Sequence, residues 1–187
     1  MKYSFRKSAF EKEKSYELTT DGIRIVDHEG KESLVEYTAI LRVNPAFVST
    51  KSNSFYQCTL KLKNGESVLL KSQHYVGLAN FEDRNESYVN FVKGLHKILS
   101  TANPGIEYKK GIGKLAYLAS MLLFVIAGVA FPIVAIAMLI GGQLLYGGIA
   151  LLASILLIFR MINYSKRNKP GTYTPDALPD TLLPSLN

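Results

Sequence analysis

Few residues in this chain have the types and spacing that chemistry requires. A thiol nucleophile or thiolate ligand would have to be Cys58, the single cysteine. It lies in Phe55–Lys63, where Tyr56, Cys58, Leu60 and Leu62 alternate with Gln57, Thr59, Lys61 and Lys63. Period-two alternation puts it on the apolar face of a strand, where cysteine serves as a small core residue. One cysteine also rules out a disulfide framework and any multi-cysteine metal site. The histidines are three, His28, His74 and His96, scattered along the chain without a nearby acid or thiol pattern. Asp27-His28-Glu29 runs into Gly30 and reads as a solvated turn rather than an acid–base pair. Asn85-Glu86-Ser87 matches a glycosylation sequon but falls on an expected cytoplasmic helix. There is no phosphate-binding glycine loop, nucleophile elbow or paired-carboxylate constellation. The expectation is a protein that is not an enzyme and needs no cofactor and no metal.

The elements that would position these residues divide the chain in two. Of 187 residues, 48% are hydrophobic and 20% charged, with net charge +7. From Leu115 to Phe159 no Asp, Glu, Lys, Arg or His occurs. As one helix those residues would reach about 68 Å, against a hydrocarbon core of about 30 Å. Two crossings fit. Helix propensity collapses at Gly141-Gly142-Gln143 and Tyr146-Gly147-Gly148, so the spans are read as about Lys114–Ile140 and Gln143–Ile162. Pro132 is the competing break; membranes tolerate a proline kink, and the glycine-rich turn is preferred. Lys109, Lys110 and Lys114 precede the first span, while Arg160, Lys166, Arg167 and Lys169 follow the second. The positive-inside rule then puts both ends in the cytoplasm, at the inner membrane if the source is bacterial. Residues 1–20 hold no apolar core of a signal peptide. Ala116/Ser120, Ala137/Gly141 and Ala150/Ser154 allow close helix approach, within the hairpin or toward another membrane subunit.

Residues 1–104 carry net charge +3 without a basic, aromatic-interleaved stripe, which argues against nucleic acid. Tyr16–Leu18 and Ile23–Ile25 flank Thr20-Asp21-Gly22, a hairpin signal, and Leu34–Tyr37 follows the turn at Gly30. Asn64-Gly65 turns the strand Phe55–Lys63 back into Ser67–Lys71. Six or seven short strands are expected, in an antiparallel sandwich or barrel. A helix then closes it, capped by Asn80, with Glu82 and Asp83 in its first turn and Tyr88, Phe91, Val92, Leu95, Ile98 and Leu99 in one stripe. It stops before Asn103-Pro104-Gly105.

The segment YELTTDGIRIVDHEG…SLVEYTAILRV, the Phe-containing strand, the Asn-Gly hairpin and the final helix resemble bacterial pleckstrin-homology-like (GRAM-like) domains over about residues 14–101. The resemblance implies a binding module for lipid head groups or protein segments. The hairpin at residues 16–25 lacks the dense basic cluster of phosphoinositide-binding members, which favours a protein-contact role. The expected fold class is thus an α+β membrane protein: a pleckstrin-homology-like domain (1–102), a linker (103–113), a two-helix transmembrane hairpin (114–163) and a proline-rich cytoplasmic tail (164–187).

Two surfaces are candidates for contacts. Arg24, Arg42, Lys51, Lys61, Lys63 and Lys71 could face anionic lipid at about 1 kcal/mol each near a membrane surface. The tail spaces Pro170, Pro175, Pro179 and Pro184 four to five residues apart among Tyr173, Leu178, Leu182, Leu183 and Leu186. Such a preordered apolar segment is expected to lie along a groove, on this chain's own sandwich or on a partner. The leading expectation is a membrane-anchored accessory protein that contacts an integral membrane protein complex. The alternative is a sensor of anionic membrane lipids. A homo-oligomer is allowed, but a homo-oligomeric channel lacks polar pore-lining residues.

Overall fold

The computed structural model describes residues 1–49, 54–78 and 80–186. Two compact units emerge: residues 1–111 with 171–187, and residues 112–170.

The first unit begins with a four-stranded antiparallel sheet, β1 (Lys2–Phe5), β2 (Lys14–Leu18), β3 (Gly22–Val26) and β4 (Glu32–Glu36), in that order. Tyr3 and Phe5 of β1 alternate inward and are buried. Their rings stack, at 5.5 Å, and Phe5 stacks again on Tyr16 at 5.5 Å. The Tyr3 hydroxyl donates to the Lys71 carbonyl. This first strand is absent from the sequence expectation, and it moves the first hairpin loop from residues 19–21 to residues 6–13.

The second sheet is built on β5 (Ile40–Ser49), β6 (Ser54–Leu62) and β7 (Ser67–Lys71). The alternation in β6 is realised: Cys58, Leu60 and Leu62 are buried while Lys61 is exposed. Gly65 turns the chain with φ of 92°, and the Asn64 side chain accepts the Glu66 amide at 2.9 Å. Next come β8 (Gln73–Gly77) and β9 (Asn80–Asp83), a separate hairpin. Hence Asn80 caps no helix, and Glu82 and Asp83 lie on a strand. Gln73 Nε2 donates to Asp83 Oδ1 at 3.2 Å and the Arg84 amide to the Ser72 carbonyl at 2.7 Å, holding the hairpin base together. Helix α1 therefore starts later, at Asn85, and runs to Ala102. Its inward face is the expected stripe with Val89 and His96 added, and Ile98 packs half-buried beside it.

Residues 103–113 are more than a linker. Asn103 Nδ2 donates to the Tyr37 and Ile40 carbonyls, both at 3.0 Å. Ile106 and Tyr108 are buried, and β10 (Glu107–Lys110) pairs in parallel with β5. The tail adds β11 (Gly171–Thr172) to the outer edge of β10, giving the order β11-β10-β5-β6-β7. Both sheets and α1 share one core, from Tyr3 and Ile23 through Val43, Cys58 and Leu70 to Phe91 and Leu99. Among the described residues no sheet closes on itself, so the arrangement is two sheets over one core rather than a closed barrel.

The second unit is a helical hairpin, α2 (Lys114–Ile140) and α3 (Leu144–Asn168). Both helices are long and apolar enough to cross a membrane. The break falls at Gly141-Gly142, with Gly142 at φ of 77°, and α2 continues through Pro132. Helix α3 extends six residues past Ile162, because Tyr164 and Ser165 pack on α2. Tyr117 and Ser165 hydroxyls lie 2.7 Å apart and the Phe124 and Tyr164 rings meet edge-on at 5.3 Å. Of the small-residue pairs, Ser154 is buried, while Ala116, Ala137 and Gly141 are exposed. The close approach falls instead at Gly147, where a Cβ would come within 2.6 Å of the Leu139 side chain.

Candidate functional site

The tail lies on its own unit. Short 3-10 turns at Pro175–Ala177 and Asp180–Leu182 carry it along α1 and β5. Proline at the first position of such a turn supplies a fixed φ and needs no amide donor. Leu182 and Leu183 are buried, Tyr173 and Leu178 are half-buried against the core, and Leu186 is exposed. Of the two grooves open to the tail in the sequence, the one on this chain is occupied.

A buried polar contact fixes the tail in register. Within α1, His96 Nδ1 lies 2.7 Å from the Val92 carbonyl, so that nitrogen carries the proton and donates. Its Nε2 then accepts from the Tyr173 hydroxyl, also at 2.7 Å. The His96 ring stacks on Tyr173 at 5.8 Å and tilts against Tyr108 at 5.5 Å. Burial holds the His96 pKa below the usual histidine value, and burial likewise raises those of Tyr173 and Tyr108, the latter with help from Asp176. The unfolded chain therefore binds the His96 proton more readily than the folded one. Stability contributed above pH about 6.5 is lost as pH falls below that value, by at most about 1.4 kcal/mol per pH unit from one histidine. Melting temperature measured from pH 7.5 to 5 should fall, and a His96→Gln chain should show a flatter dependence.

The basic residues singled out in the sequence do not form one patch. Arg24 is paired across strands with Glu17 and with Glu32, the latter at 3.7 Å. Arg42 pairs with Glu107 at 2.9 Å, and Glu107 also receives Lys109 at 2.9 Å. Lys61 donates to the Gly65 carbonyl at 2.5 Å, and Lys63 is exposed beside the Asn64-Gly65 turn. The Lys71 ammonium sits 5.0 Å from the Phe55 ring centre; burial, then Lys7, holds its pKa below the usual lysine value. Lys51 lies outside the described residues. Of the flanking charges, Lys109 and Lys110 belong to β10 and Lys114 opens α2. Arg160 is inside α3, Lys166 and Arg167 occupy its last turn, where the helix dipole favours cations, and Lys169 follows it.

A different basic cluster gathers at the strand ends. A cleft of about 280 Å³ has Phe5, Tyr16, Ile25, Val68 and Leu69 among its lining, with Lys7, Lys12, Lys14, Glu11 and Ser67. A second, of about 260 Å³, shares Lys14 and Ile25 and adds Asp27, Lys31 and Ser33. Both acids are engaged: Glu11 holds Lys7 at 2.8 Å, and Asp27 accepts the Glu29 and Lys31 amides at 2.9 Å each. Those amide hydrogen bonds keep the Asp27 pKa below the usual carboxylate range, that from Lys31 contributing most. Among the described residues, Lys12, Lys14 and Lys31 have no ion pair. Sequence reasoning misses this cluster because it misses β1; the alternation of Tyr3 and Phe5 ahead of Arg6-Lys7 is its signal.

Among the described residues no other cluster assembles chemistry. Burial pushes the Cys58 thiol up to about 12, so it stays protonated at neutral pH. His74 Nδ1 accepts the Arg6 amide at 3.2 Å. Among the described residues no three His, Cys, Asp or Glu side chains could share a metal ion. No family model, curated protein or solved structure matches the chain.

Proposed function

We propose that this protein is a membrane-anchored, non-catalytic binding module, in which the lysine-rimmed cleft receives the anionic head group of a membrane lipid. The carrying observation is the convergence of Lys12, Lys14 and Lys31, none of them in an ion pair among the described residues, on two adjoining clefts, the first of which is lined by Phe5, Tyr16, Ile25, Val68 and Leu69. A lysine near an anionic surface gains about 1 kcal/mol, and the attraction falls with ionic strength. The pleckstrin-homology-like reading is part of the same proposal: a four-stranded sheet, a second sheet and a C-terminal helix over one core support it.

The anchor is the helical hairpin. Residues 1–111 and 171–187 belong to one unit, which supports both hairpin ends lying on one face of the bilayer. The flanking lysines and arginines make that face cytoplasmic. Only residues 111–113 and 169–170 separate the strands from the helices, so the module stays at the membrane and weak head-group affinity suffices.

The test is native mass spectrometry of the full chain purified from anionic membranes in mild detergent. Retained anionic lipid is expected, with loss in Lys12→Glu/Lys14→Glu and on raising salt. Equal lipid retention by that variant would reject the cleft.

A second reading, an adaptor for a membrane protein complex, is favoured by the β8–β9 hairpin, whose Val76, Leu78 and Phe81 are exposed. A stoichiometric partner that survives a salt wash and is lost from Leu78→Asp would establish it.

A further inference from the structure

The loop between β1 and β2 is folded around one side chain. Arg6 Nε donates to the carbonyls of Ser8 (3.1 Å) and Glu11 (2.8 Å), and its Nη2 to that of Ala9 (2.8 Å). The same guanidinium lies 5.2 Å from the centre of the Tyr75 ring. The Tyr75 amide donates to the Arg6 carbonyl at 2.8 Å, which fixes the loop's base to β8. A guanidinium offers five donors in a rigid fork, so satisfying three carbonyls with it organises the segment from inside. The residue this arrangement projects is Phe10, 99% exposed. A loop closed by Arg6 could have carried any polar residue at that point, and a large aromatic ring held in water is unfavourable.

The neighbours of Phe10 decide what covers it. Glu11 follows it and is paired with Lys7 at 2.8 Å, which leaves Lys12 and Lys14 as the cations without an ion pair, among the described residues, in the lining of the cleft described above. An apolar ring beside such lysines matches an anionic bilayer, with acyl chains for the ring and head groups for the ammonium ions. A packed protein interface would more often deplete lysine from its centre.

We infer that Phe10 is a membrane wedge: it enters the acyl region of an anionic bilayer while Lys12 and Lys14 hold the head groups around it. This rests on the lipid reading of the cleft and narrows its ligand to lipid within a bilayer, not a free anion. Burying a phenyl ring strengthens association roughly ten- to hundredfold, so Phe10→Ser should weaken anionic-surface binding by that factor.

The chain contains no tryptophan, so Phe10→Trp makes a unique fluorophore in the full chain. That variant is reconstituted into vesicles of phosphatidylcholine, alone or with one-third phosphatidylglycerol, and into the same mixtures with brominated acyl chains. Blue-shifted emission quenched by brominated chains is expected with phosphatidylglycerol, and emission near the water value without it. Leu34→Trp, placed at the exposed leucine of β4, should stay water-like in both. Water-like, unquenched emission from the Phe10→Trp chain in every vesicle overturns the wedge. A shift without bromine quenching overturns it too, since protein rather than lipid then covers the ring. The head-group reading is judged separately, by whether Lys12→Glu/Lys14→Glu releases lipid in detergent, where no bilayer exists to be entered.

Discussion

Ending the chain at Pro170 should cost the β-rich unit most of its stability. The lost segment buries Leu182 and Leu183 and packs Tyr173 and Leu178 on the core. Fully burying a leucine side chain is worth about 1.5–3 kcal/mol, so two leucines and a tyrosine ring together contribute about 5 kcal/mol or more. Whole domains are stable by only about 5–15 kcal/mol. Truncation also opens the edge of β10 and leaves His96 Nε2 without its donor. Thermal unfolding and limited proteolysis of the full-length and truncated chains in detergent would check this. An unchanged melting temperature would mean the tail is no part of the core. The converse follows from register. Lys110 stands opposite Gly171 in an antiparallel pair, so replacing residues 111–170 by an Asn-Gly turn should join β10 to β11 without strain. That shortened chain should be folded, with a transition close to the parent's.

Gly22→Ala should be the most damaging single methyl in the β-rich unit. Gly22 pairs with Glu36 at the end of the β3–β4 ladder. A Cβ there would lie 2.4 Å from the Val35 carbonyl oxygen and 2.9 Å from its carbon. Both atoms are backbone, so no rotamer change relieves the overlap, and the two strands must part. Overpacking of this kind costs about 1–3 kcal/mol, and loss of the adjoining ladder bond adds to it. Gly30→Ala makes the contrast. Its φ of 81° is unfavourable for alanine, but nothing lies within 4 Å of a Cβ there, so about 1 kcal/mol is expected. Denaturant unfolding of both variants would rank them, and equal midpoints would refute the steric argument.

Local signals in the sequence carry the regular elements. The alternation around Cys58, the Asn-Gly turn, the stripe on α1 and the glycine pair at Gly141-Gly142 each follow from a pattern within a few residues. What is not legible depends on distant partners. Tyr3 and Phe5 become a strand because Tyr16, Tyr88 and Phe91 supply a face for their rings. Tyr108 and Tyr173 stand far apart in sequence, yet they meet edge-on at 5.6 Å. Nothing in either segment alone reveals that pairing. Asn80 has the side chain of a cap, but the hairpin with Gly77 engages it first. The lysine cleft inherits the same blind spot, since its first two lysines stand on the loop that β1 creates.

Because the sheet receives β10 before the hairpin and the tail after it, the β-rich unit is finished only by residues made after the hairpin. If the hairpin crosses the membrane as proposed, residues 1–111 would wait during synthesis with the faces of β5, β10 and α1 uncovered until both helices had entered the membrane. If only one helix crossed, residues 171–187 would emerge on the opposite side and could not reach them. On the proposed topology, completion of the unit would report on insertion. A chain with faulty topology would carry an unfinished, apolar, protease-sensitive domain, marking it for removal by the same quality control that clears misfolded proteins.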